Sequence, residues 1–179
     1  MDIEQLLERY TPTELEKELE SACPFFGEAV NTFSSVYLPV HELANNLLAV
    51  KLQERLNGIE IATEQQLKGA NGLVDIRVSA KNGKLDVRGP RQKVAIIELK
   101  TGVFNLVQPA VYAFKEGIDV LLVGLKNSEV QVVSPELAES LLQTVAEHLE
   151  TKGKLKKEDS HLPSNCKRCA NFDCGYAEG

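Results

Sequence analysis

The 179-residue chain has no apolar run near the ~18 residues that a membrane span needs. No internal repeat or low-complexity segment divides it. Its first ten residues, Met1 to Tyr10, are acidic and amphipathic, the wrong chemistry for a secretory leader. These absences lead us to expect a cytoplasmic protein with no membrane association, built as one domain over residues 1–179. Cysteine is missing from the whole stretch between Cys23 and Cys166. A net basic charge is missing too: the formal charge is -6, which argues against a general nucleic-acid coat.

The negative charge is local. Residues 1–28 carry eight acids against two bases, and the remainder balances. Basic stretches survive inside that balance. Lys81, Lys84, Arg88, Arg91 and Lys93 form one, and Lys152, Lys154, Lys156, Lys157, Lys167 and Arg168 another. Taken singly, each is ordinary solvated surface. Clustered, they are a candidate phosphate-contacting surface. The acidic segment points instead to a protein partner or to self-association as a homo-oligomer.

The four cysteines are split between the two ends. Cys23 stands alone in Cys23-Pro24-Phe25-Phe26, and Cys166, Cys169 and Cys174 follow a C-x2-C-x4-C spacing. In a reducing compartment such a set reads as a metal site rather than as disulfides. The spacing suits zinc and an iron–sulfur cluster equally. Either centre would tie the start of the chain to its end and restrict the unfolded ensemble strongly.

Periodicity predicts an α/β fold with a small mixed sheet flanked by helices. Helices are expected over 2–22, with an N-cap at Thr13, over 40–57, over about 106–115, and from Pro135 to about Lys152. Strands are expected over Ile59–Leu67, Gly72–Ser79, Val94–Lys100, Val120–Leu125 and Val130–Val133. An Asn82-Gly83 turn leads to a short ribbon at Leu85–Val87, and Thr101-Gly102 closes the most apolar strand. The expected divisions are an acidic helical segment over 1–28, a core over 29–152 and a basic tail over 153–179.

Two acids interrupt strands that should be apolar. Asp75 lies in Gly72-Leu73-Val74-Asp75-Ile76, and Glu98 precedes Leu99-Lys100 at the end of the most apolar strand. Glu98 and Lys100 share a strand face. Alone, they make an ordinary half-exposed surface pair. With Asp75 on a neighbouring strand they make a hard, oxygen-rich site for Mg²⁺ or Mn²⁺, with Lys100 placed beside a water. Gln108 and Tyr112, four apart on the next helix, share a face directed at the same cleft. His41, at the start of the second helix, is a candidate third ligand.

The ordered set His41, Gly72-x-x-Asp75, Glu98-x-Lys100-Thr101-Gly102 and Gln108-x-x-x-Tyr112 resembles the PD-(D/E)XK nuclease superfamily, in its RecB-like branch. With one cysteine before that core and three after it, the chain is similar to the CRISPR-associated RecB-like iron–sulfur exonucleases over roughly Cys23 to Cys174. The resemblance implies a PD-(D/E)XK nuclease-like mixed β-sheet flanked by helices. It implies an iron–sulfur cluster on Cys23, Cys166, Cys169 and Cys174, 4Fe–4S in preference to 2Fe–2S. It implies Mn²⁺ or Mg²⁺ on Asp75, Glu98, His41 and the Leu99 carbonyl, with Asp75, Glu98, Lys100, Gln108 and Tyr112 as the catalytic set. The implied activity is metal-dependent cleavage of single-stranded DNA or frayed DNA ends, 5′→3′, in spacer acquisition beside CRISPR integrase proteins. The same chemistry would serve repair, recombination or a viral end-processing nuclease. A different class, a weakly active cluster-bearing DNA- or protein-binding subunit, is opposed by the intact Asp75, Glu98 and Lys100. One departure stands out. Asp75 and Glu98 are 23 positions apart, longer than the family's hairpin, and the extra length falls in the basic stretch from Lys81 to Lys93.

Overall fold

A computed structural model describes residues 1–22, 37–66, 73–80, 93–100, 106–125 and 128–151. The four cysteines, Lys81, Lys84, Arg88, Arg91, the Asn82-Gly83 turn, the Leu85–Val87 ribbon, Thr101-Gly102 and the basic tail lie outside the described residues. Lys93 is described in its backbone only.

The chain opens with α1 (Ile3–Arg9) and α2 (Pro12–Ala22), where one continuous helix was expected. The break has a local cause. Tyr10 is extended, at φ -128° and ψ 139°. Thr11, not Thr13, then caps the new helix: Glu14 N donates to Thr11 Oγ1 at 3.2 Å, and Thr11 N donates to Glu14 Oε2 at 2.7 Å. This reciprocal box, with Pro12 in the first helical position, makes a fresh start easier than continuation. The Glu14 carboxyl is held below the usual carboxylate range by its hydrogen bonds to Thr11.

Next comes α3 (Tyr37–Arg55), which starts three residues earlier than expected. Pro39 falls within its first turn, where no intrahelical N–H is required, so it does not interrupt the helix. His41 therefore lies in the second turn rather than at the start. Gly58, at φ +76°, then turns the chain into the sheet.

Strands β1 (Ile59–Gln66), β2 (Leu73–Ala80), β3 (Lys93–Lys100), β4 (Val120–Gly124) and β5 (Val130–Val133) form one sheet in sequential order. The pairs are antiparallel except β3–β4, which is parallel. Parallel neighbours need a crossover, and α4 (Val107–Glu116) supplies it. The last helix, α5 (Pro135–Thr151), packs on α4. This five-stranded mixed sheet flanked by helices is the α/β arrangement that the periodicity predicts.

Two apolar cores result, one on each sheet face. The larger joins Leu6, Leu15 and Leu19 of α1 and α2 to Val111, Leu142 and Val145 of α4 and α5, over Ile96, Val120 and Leu122 of the sheet. The smaller sets Leu48, Ala49 and Leu52 of α3 over Ile76, Val78 and Ile97. Strand alternation assigns 96, 98 and 100 of β3 to the larger core and 97 to the smaller. No helix among the described residues is long and apolar enough to cross a membrane.

Candidate active site

The two central strands part company at one point. The β2–β3 ladder runs to Ile76 opposite Ile97 and ends there. On its other side β3 stays paired with β4 as far as Lys100 opposite Gly124, and Leu125 N donates to Lys100 O at 2.9 Å. The result is a fork between β2 and β3. Backbone N–H groups inside such a fork lose their ladder partners and must find others.

The two acids provide them. Asp75 N donates to Glu98 Oε1 at 3.2 Å, and Leu99 N donates to Asp75 Oδ2 at 2.8 Å. Each carboxylate thus closes the fork from the opposite strand. That is why a glutamate can interrupt the apolar run Val94, Ala95, Ile96, Ile97 and Leu99. The fork also marks a change of face: Val74 joins the larger core, while Ile76, two residues on, joins the smaller.

Glu98 is 1% exposed, and burial pushes its carboxyl up to about 7. The Lys100 charge opposes that rise and the Asp75 charge adds to it. Lys100 Nζ lies 3.3 Å from Glu98 Oε2 and donates to Gln108 Oε1 at 2.9 Å. Gln108 Nε2 donates to the Tyr112 hydroxyl at 2.8 Å, and that hydroxyl donates to the Leu73 carbonyl at 3.1 Å. Burial pushes the Tyr112 phenol up to about 12, so it remains a hydroxyl donor. One polar chain therefore runs from Glu98 through Lys100, Gln108 and Tyr112 back to β2. The same helix is held to β2 near its other end, where Arg77 Nη2 lies 3.3 Å from Glu116 Oε1.

From the opposite layer, α3 brings His41 Nε2 to 3.2 Å from Asp75 Oδ2. The approach is off hydrogen-bond geometry, and that buried ring nitrogen has no hydrogen-bond partner. His41, Asp75, Glu98, Lys100, Gln108 and Tyr112 are thus gathered at one fork. Leu99 is there as well, through its N–H to Asp75.

Among the described residues, no three His, Cys, Asp or Glu side chains form a ready-made metal cage. The donor set nonetheless fits a hard divalent cation. An unpartnered imidazole nitrogen faces a carboxylate oxygen, and a second, strongly desolvated carboxyl adjoins it. Bringing a cation among them would satisfy the His41 nitrogen and favour ionised Glu98.

Three features escape a reading of the sequence. The Leu73 carbonyl anchors Tyr112, which no side-chain pattern reveals. Asn45 is 5% exposed with its Oδ1 lacking a hydrogen-bond partner. It stands four residues after His41, so the His41-x-x-x-Asn45 spacing was a usable signal for a shared helix face. Glu64 adopts φ 51° at the β1 position between the pairs Thr63–Ile76 and Gln65–Val74, opposite Asp75. A left-handed glutamate within a strand costs on the order of 1 kcal/mol and adjoins the fork.

No protein-family model matches the chain, and no curated protein is significantly similar to it.

Proposed function

We propose that the chain is a divalent-metal-dependent deoxyribonuclease of the PD-(D/E)XK type, similar to the RecB-like iron–sulfur exonucleases of CRISPR adaptation. Its substrate would be single-stranded DNA or DNA ends, cut 5′→3′, and its partners CRISPR integrase proteins. The observation that carries the reading is the β2–β3 fork, where Asp75, Glu98 and Lys100 converge with His41.

His41, Asp75 and Glu98 would hold Mn²⁺ or Mg²⁺. When bound, such an ion supplies a Lewis acid to the scissile phosphate and a positive field at the attacking oxygen. Lys100 Nζ, fixed between Glu98 Oε2 and Gln108 Oε1, would orient the attacking water and offset charge on the phosphate. Gln108, itself fixed by Tyr112, keeps that ammonium from swinging away. Lys81, Lys84, Arg88, Arg91 and Lys93 would contact DNA phosphates. Cys23, Cys166, Cys169 and Cys174 would hold the iron–sulfur cluster.

Labelled single-stranded DNA with Mn²⁺ or Mg²⁺ tests the active site. Asp75→Ala and Lys100→Ala should each lose roughly 10²-fold or more in rate. Equal activity in wild type and both variants would remove the site. The cluster is tested separately, by colour and metal content after anaerobic purification. Brown protein that bleaches in Cys166→Ala is expected, and colourless protein with stoichiometric zinc would overturn the iron assignment.

A further inference from the structure

The face of α3 turned away from the sheet is apolar where it should be polar. Leu48, Ala49 and Leu52 pack against the sheet, yet Val40, Leu43, Leu47 and Val50 stand in solvent at 47, 59, 56 and 54% exposure. A helix covered on one side ordinarily shows charged or polar residues on the other. Here the exposed set recurs at steps of three, four and three. That is the spacing of a helix-pairing seam.

The spacing reads the same in both directions. Two copies of α3 laid antiparallel about a two-fold axis would set Val40 against the partner's Val50 and Leu43 against the partner's Leu47. Every apolar side chain of the seam then meets another, and the contact is self-complementary, as a two-fold interface requires. The next position along the seam is Glu54, half-exposed and bonded to Lys51 at 2.7 Å. A parallel pair would place Glu54 beside its own copy, with like charges opposed. The antiparallel pair instead places it beside the N-terminal turn of the partner's α3, where the helix dipole favours a carboxylate.

We infer that the protein forms a two-fold homodimer through an antiparallel α3–α3 contact along Val40, Leu43, Leu47 and Val50. Pairing would bury on the order of 1,000 Å² in total, the size of a weak, reversible contact, so the dimer should form in a concentration-dependent way. His41 and Asn45 lie on the other side of α3, so the contact leaves the β2–β3 fork untouched. This inference does not rest on the nuclease reading.

Sedimentation or light scattering of the full chain, from about 1 to 100 µM, is the test. Wild type should pass from monomer to dimer, and Leu43→Glu/Leu47→Glu should remain a monomer with an unchanged far-UV spectrum. Glu54→Lys, a change at the end of the seam that leaves its four apolar residues intact, should weaken the dimer roughly tenfold. Under mild oxidation, with wild type as the control for the four native cysteines, Val40→Cys mixed with Val50→Cys should give a cross-link that neither variant gives alone. A wild type that stays monomeric throughout overturns the inference, whether the stripe is covered by the chain's own segments or by another partner. So does a dimer indifferent to Leu43→Glu/Leu47→Glu, or cross-linking of each cysteine variant only with itself.

Discussion

Replacing Glu98 by glutamine should make the metal-free protein more stable at neutral pH and should flatten its pH dependence. Burial raises the Glu98 carboxyl from its ordinary 4.5 to about 7 in the folded chain. Below the lower value both folded and unfolded chains hold the proton, and the group contributes no pH dependence. Between the two values the unfolded chain ionises while the folded one remains protonated. Folding stability therefore falls by about 1.4 kcal/mol per pH unit across that window. The loss reaches about 3 kcal/mol near pH 7 and is constant above it. Glutamine keeps an acceptor for Asp75 N and never ionises. It turns an amide toward Lys100, at a cost that does not vary with pH. Urea unfolding with divalent ions chelated, followed by far-UV circular dichroism from pH 4 to 8, measures the difference between the two proteins. That difference should move by about 3 kcal/mol in favour of Glu98→Gln as pH rises from 4.5 to 7. A difference that stays constant with pH would mean that Glu98 titrates normally, and the desolvated fork would be wrong.

Divalent-ion binding should oppose that proton. Mn²⁺ at about 100 times its dissociation constant should stabilise the wild type by about 2.7 kcal/mol at pH 8 and by much less at pH 5.5, where Glu98 holds its proton. Melting temperatures with and without Mn²⁺ read this directly, and an equal shift at both pH values, or one that survives in Asp75→Asn, would refute it. Tyr112→Phe removes the acceptor for Gln108 and the donor to the Leu73 carbonyl. It should cost about 1 kcal/mol in urea unfolding, and no measurable loss would show that the polar chain does not hold α4 on the sheet.

Most of the fold is legible because its elements have distinct periods. The alternation Val74, Ile76, Val78 and the apolar runs at Val94–Leu99 and Val120–Val123 identify strands, and an Asn57-Gly58 stop and a Pro135 start bound the helices on either side. What escapes is governed by caps rather than by period. Helix 2–22 is amphipathic throughout, and only the Thr11-Pro12-x-Glu14 box divides it. Thr13-Glu14 carries the same residue types two positions later, so composition does not separate the two starts. The onset of α3 is missed for the opposite reason. Pro39 reads as a boundary, but a proline in the first turn breaks nothing.

The site is legible as a set and illegible as a geometry. Acids inside apolar strands, a lysine two residues on and a polar pair one helical turn apart are all visible along the chain. That β2 and β3 stop pairing after Ile76 and Ile97 is a property of two segments together, and no local pattern encodes it. Yet the fork explains the composition. A carboxylate in a closed sheet would be desolvated with nothing to accept from. In an open fork it meets unpaired backbone N–H groups, and Asp75 and Glu98 each take one. The residues best placed to hold a cation are therefore also those that close the sheet. Removing the Asp75 side chain strips Leu99 N of its acceptor as well as removing the proposed ligand, so its loss would combine stability with chemistry. The Lys100 side chain bonds no backbone group among the described residues and donates there to Glu98 and Gln108. Lys100 is thus where structure and activity can be separated, and a rate lost there without a matching loss of stability belongs to the chemistry of the fork.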